Sequence, residues 1–158
     1  MEFAKTTPAP TPKTKNIRGI SILTAVFFVL LAVSQLFTFE RFADVLQLQY
    51  AGLGVAAPVL AACIVTLEVA ALPFLLAMPL SAAARVLSMA AAWGVVLIWC
   101  VLSMATLIEG SDGTALLGAT LDVPGGWWTV CFTFGLGVLV AWATWGMWPL
   151  SARRRMSK

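Results

Sequence analysis

The stretch TLEVAALP, Thr66 to Pro73, sets one carboxylate, Glu68, inside a long apolar run with no cation within fifteen residues on either side. An acid at the centre of a bilayer costs on the order of 3 kcal/mol on insertion scales, so such residues usually face a protein interior. Loss of solvation favours the neutral acid, which donates one hydrogen bond and accepts others. Two roles follow: a neutral glutamic acid that ties helices together, or a group in a proton, quinone or redox site. Docking of a partner is a third. Gln35, Thr66, Ser88, Ser103 and Thr144 are the polar residues to consider beside it, and none carries an opposite charge.

Three cysteines, Cys63, Cys100 and Cys131, stand in three different apolar runs, and no CxxC occurs. Their simplest role is as small buried hydrophobes. Cys63 and Cys100 also share a depth of ~12 Å below one membrane face, so a thiol cluster is the alternative. FTFERFADVLQ, Phe37 to Gln47, alternates aromatics and charges and reads as an interfacial anchor. Phe39, Glu40 and Arg41 in this stretch, with Gln35 just before it, are the candidates for a pocket or motif. VPGGWWTV, Val123 to Val130, reads as a helix start with an aromatic belt. The chain has no histidine, which excludes histidine catalysis. No phosphate loop, dinucleotide fingerprint, zinc pattern or catalytic triad is present, so no metal and no intrinsic catalysis are expected.

The elements that must position these residues follow from composition. Of 158 residues, 61% are hydrophobic and 11% are charged, against about 25% charged in soluble chains. A bilayer core of about 30 Å needs about 20 apolar residues per helix. Four runs meet that length, at 17–39, 55–78, 86–108 and 127–150. The first is too long for a signal-peptide core of about 7–15 residues and lacks a small-residue cleavage site after it, so it reads as a retained helix. Residues 40–54 fit a short amphipathic helix. Pro73 is expected to kink the second span. Residues 79–85 form a tight connection, and 109–126 a Gly-rich loop long enough to fold back on the membrane. The expectation is an all-α, integral membrane four-helix bundle, up-down-up-down, occupying 17–150. A flexible tail at 1–16 precedes it and a basic tail at 151–158 follows.

Charge gives the orientation. Lys5, Lys13, Lys15, Arg18, Arg85, Arg153, Arg154, Arg155 and Lys158 fall on one side; the other receives Arg41 with Glu40, Asp44, Glu109, Asp112 and Asp122. The positive-inside rule puts both termini in the cytoplasm. The formal charge of +3 is thus a matter of membrane orientation and not of nucleic-acid binding.

The order AVSQLFTFERFADVL, TLEVAALPFLLA, an Ala-rich turn with Arg85, and GGWWTV before the last helix resembles the DoxX/MauE superfamily of small four-helix membrane proteins. The resemblance runs from about Arg18 to Trp148, with Ser34, Gln35 and Leu36 at the family's motif ending the first helix and Glu68 at its second-helix acid. The family's usual lysine is Gln35 here, and its loop cysteines are absent. The resemblance implies an inner-membrane accessory of a redox pathway that supports electron transfer or maturation of a membrane or periplasmic partner. A quinone enters as a cofactor through the resemblance alone. The alternatives are a non-catalytic scaffold or subunit and a small proton-linked transporter, which would need a homo-oligomer for room.

Overall fold

The computed structural model describes residues 6–8, 12–50, 56–110, 113–119 and 123–148. Five helices carry the fold: α1 (Lys15–Phe37), α2 (Phe39–Gln49), α3 (Ala57–Leu75), α4 (Ala82–Glu109) and α5 (Trp127–Gly146). Two short antiparallel pairs join β1 (Thr6–Thr7) to β2 (Leu80–Ser81) and β3 (Gly113–Thr114) to β4 (Val123–Pro124). α1, α3, α4 and α5 are each long and apolar enough to cross a membrane. α1 and α4 both pack on α3 and on α5, so the four form a bundle, with α2 against α3. The chain is a multi-pass membrane protein.

Each long helix buries one stripe at three- and four-residue spacing. On α3 it runs Ala61, Ile64, Val65, Glu68, Ala71 and Phe74; on α1 it runs Ser21, Ala25, Phe28, Leu31 and Gln35. The outward faces remain apolar, with Leu30, Leu97 and Phe134 exposed. In lipid the inward face is marked by small and polar residues instead of by hydrophobicity. Many of the buried hydroxyls bond their own helix, as Thr24 does to Ile20 O (2.8 Å) and Thr144 to Val140 O (2.7 Å). Ser103 and Thr133 hydrogen-bond between α4 and α5 at 3.0 Å.

Pro73 sits inside α3, which continues to Leu75. Next to it, Ser88 of α4 enters the helix ladder: its hydroxyl donates to Ala70 O and accepts the Phe74 N–H at 3.0 Å. That N–H and carbonyl are the pair a regular α-helix would join directly. A serine from the neighbouring helix thus satisfies both groups where proline opens the turn.

The element bounds shift from expectation at the ends. α4 starts at Ala82 and not at 86, because Ser81 caps it by accepting the Ala84 N–H at 3.2 Å. α2 begins at Phe39 and buries Phe42, Ala43 and Leu46, while Leu48 is 83% exposed. The N-terminal segment differs from a free tail at residues 6–8. Thr6 and Thr7 pair with Ser81 and Leu80, and Arg85, buried on α4, donates to Pro8 O at 3.1 Å. Lys13 lies over the Trp145 ring at 4.1 Å, and its N–H reaches Gly146 O. The tail at 151–158 lies outside the described residues.

Candidate functional site: a buried acid under a loop

Glu68, Gln35 and Trp99 are each 0% exposed and meet where α1, α3 and α4 converge. Gln35 Nε2 donates to Glu68 Oε1 at 3.2 Å, and Trp99 Nε1 donates to the same oxygen at 3.4 Å, a long bond. The second Gln35 N–H reaches Leu116 O at 3.2 Å. Leu116 belongs to the segment after β3, which folds back on the bundle and buries Ala115 and Leu116. The segment is held a second time by Thr38, whose hydroxyl accepts the Ala119 N–H at 3.2 Å while donating to Ser34 O. The site is a carboxyl group at a three-helix junction, roofed by a loop.

Two of its atoms, Glu68 Oε2 and Gln35 Oε1, are buried without a hydrogen-bond partner. No cation is near in sequence on the helices around it: Arg85 lies fourteen positions from Trp99 on α4, or ~21 Å of helix rise. The arrangement can hold a hydrogen bond network across three elements and can hold or release one proton.

Of the residues singled out in the sequence, Gln35 and Glu68 come together. Phe39 is half-buried, and Glu40 and Arg41 are exposed on α2; none of the three bonds to the Glu68 group. The cysteines differ most from expectation. Cys63, Cys100 and Cys131 are free thiols with exposed side chains, each on the outward face of its helix, so they are neither buried packing residues nor a thiol pair. Their helices turn Ile64, Trp99 and Thr133 inward instead. Among the described residues no group of His, Cys, Asp and Glu could hold a metal ion.

Sequence reasoning missed Trp99 and the Leu116 carbonyl. Trp99 had a signal. Membrane tryptophans gather at the two interfaces, whereas Trp99 stands well inside α4, where its N–H needs a buried acceptor. The Leu116 carbonyl had none, since any residue supplies one.

A quinone does not fit at Glu68. The acid, the amide and the indole have no exposed surface, and the groove between α1 and α5 is lined instead by Phe27, Phe132, Gly135, Leu136 and Leu139. That groove offers no side-chain hydrogen-bond donor to a quinone carbonyl.

Beside the roof, Tyr50 at the end of α2 is buried, and its hydroxyl makes no hydrogen bond of good geometry. Burial pushes the phenol up to about 12, eased by the nearby Thr114 hydroxyl and reinforced by the Glu109 charge. The neutral form is favoured on folding. The resulting stability is therefore complete below the unfolded value of about 10 and is lost as pH rises towards about 12. Tyr50 is the single tyrosine of the chain. An ultraviolet titration is expected to show tyrosinate absorbance about two pH units later in the folded protein than in denaturant. Coincident curves would mean that Tyr50 is solvated.

No protein-family model, curated protein or solved structure matches the chain.

Proposed function

We propose that this chain is a multi-pass accessory protein of the DoxX/MauE kind in the inner membrane, supporting electron transfer by, or maturation of, a redox partner. The observation that carries the proposal is the placement of Glu68, wholly buried and unpaired by charge, at the junction of α1, α3, α4 and the segment 113–119. An acid is retained at such a position against a cost of about 3 kcal/mol where it has work to do. The exposed, separate cysteines support an accessory role over thiol–disulfide exchange by the chain itself.

Both termini are assigned to the cytoplasm. The N-terminal segment, the α3–α4 connection and the end of α5 meet through the β1–β2 pair and the Lys13–Trp145 contact. These contacts support helices that alternate in direction. Lys13, Lys15, Arg18 and Arg85 then share one side, the basic one.

The second reading, a non-catalytic scaffold, is favoured by one observation: Glu68 Oε1 accepts from two helices at once. Complementation separates the two readings. In cells lacking the chain, membrane electron transfer or activity of the matured partner is expected to fall, and wild type to restore it. Glu68→Gln keeps a side chain that hydrogen-bonds but cannot ionise. Loss of rescue by both Glu68→Gln and Glu68→Ala, at normal protein level, supports a proton role. Rescue by Glu68→Gln and not by Glu68→Ala supports the scaffold. A deletion that leaves every membrane oxidation unchanged overturns the redox reading.

A further inference from the structure

The two unpartnered atoms at the centre belong to side chains that already touch. Gln35 Nε2 spends one N–H on Glu68 Oε1 and the other on Leu116 O. What remains is Gln35 Oε1, which only accepts, and Glu68 Oε2, which accepts when ionised and donates when protonated. With a carboxylate, two buried acceptors would be left unsatisfied in a low-dielectric interior, the costliest arrangement available to them. One proton on Oε2 satisfies both.

We propose that Glu68 carries a proton on Oε2 and forms a cyclic acid–amide pair with Gln35, and that this pair latches the segment 113–119 to the bundle through the Leu116 carbonyl. The link to the loop lies in the amide. Gln35 can hold Leu116 O only while its N–H groups point as they do. Loss of the Glu68 proton would set a carboxylate oxygen against Gln35 Oε1 and push the amide out of the pair, taking its N–H away from Leu116. Of the two bonds described above between this segment and the end of the first helix, the Thr38–Ala119 bond would then remain. A proton-binding site and a loop would thus share one side chain.

Among the described residues the buried titratable group beside the segment 113–119 is Tyr50, whose hydroxyl lies near Thr114 and makes no bond to the Glu68 group. α1 has no ionisable group between Arg18 and its end, and the segment 113–119 has none. On α2, Glu40, Arg41 and Asp44 are exposed. On α4, Arg85 and Glu109 stand near the two ends, and Cys100 is exposed, as is Cys63 on α3. α5 carries only Cys131, also exposed.

The proposal rests on Glu68 as the centre of the molecule but needs no redox partner, so its test is separate from complementation. Infrared difference spectra of the full chain in lipid nanodiscs at neutral pH, wild type minus Glu68→Gln, are expected to show one protonated-carboxyl carbonyl band that shifts in heavy water. In Gln35→Leu the band should persist but move to higher frequency, because its carbonyl loses the amide donor. Hydrogen exchange at Gly118 and Ala119 should become about tenfold faster in Gln35→Leu, the effect of losing one buried hydrogen bond, and stay slow in Glu68→Gln. Gln35→Met serves if the leucine variant does not fold. Absence of the band in wild type overturns the proton. An unmoved band overturns the pair, and unchanged exchange at Gly118 and Ala119 overturns the latch.

Discussion

Trp99→Ala is expected to destabilise the bundle by about 3–5 kcal/mol, and Trp99→Phe by no more than about 1 kcal/mol. Trp99 has no exposed surface and stands where α4 meets the polar centre of α1 and α3. Two contributions can be separated. The Nε1–H bond to Glu68 Oε1 is long at 3.4 Å, and Glu68 Oε1 keeps its Gln35 donor without it, so its loss is small. The volume of the ring contributes more. In lipid the water-driven part of burial is weak between helices, and what truncation forfeits is dispersion contact around the vacated space. That space would be lined on one side by Glu68 Oε1, which loses its indole donor, so water is expected to enter it. Thermal or denaturant unfolding in a mild detergent measures both variants. Equal losses for alanine and phenylalanine would place the stabilisation in the indole N–H and overturn the volume argument.

The spans were legible because a bilayer sets their length. Four apolar runs of the required size became α1, α3, α4 and α5, with ends displaced by a few residues. The charges of residues 40–44 likewise marked α2. The facing of each helix was not legible from hydrophobicity, since inward Leu31 and outward Leu30 are the same residue type in adjacent positions. The inward faces were written in weaker letters: Ser21, Thr24 and Gln35 on α1, Ser88, Ser103 and Thr106 on α4, Thr129 and Thr133 on α5. Reading those letters would have turned the cysteines outward, since Cys63 precedes a buried stripe residue and Cys100 follows Trp99. Depth alone could not pair Gln35 with Glu68, because pairing across helices depends on rotation about both axes. The Ser88 insertion beside Pro73 and the Leu116 carbonyl belong to tertiary contacts between distant segments, and no local pattern announces them.

Gly118→Val is expected to lift the segment 113–119 from the bundle while leaving the four long helices in place. Two separate penalties act at this residue. Its φ of +74° is a left-handed conformation that costs an ordinary residue about 1–2 kcal/mol, and a β-branched one more. A Cβ there would also stand 2.7 Å from Ser34 O and 3.0 Å from Thr38 Oγ1. Neither neighbour yields easily. Ser34 O is helix backbone and accepts from Thr38, whose hydroxyl in turn receives the Ala119 N–H. The substitution therefore breaks the same contacts that dock the loop, and together the penalties reach about 3 kcal/mol. Hydrogen exchange at residues 115–119 should quicken about a hundredfold, with exchange in the centres of α3 and α4 unchanged. Slow exchange at 115–119 in the variant would show that the loop docks without the close approach at Gly118. The infrared band of Glu68 gives the variant a second use. Gly118→Val opens the roof without altering either member of the acid–amide pair. A band that survives it means the proton is held by Gln35 alone, and the loop follows the pair. A band that disappears means that the loop keeps water out and the pair depends on it.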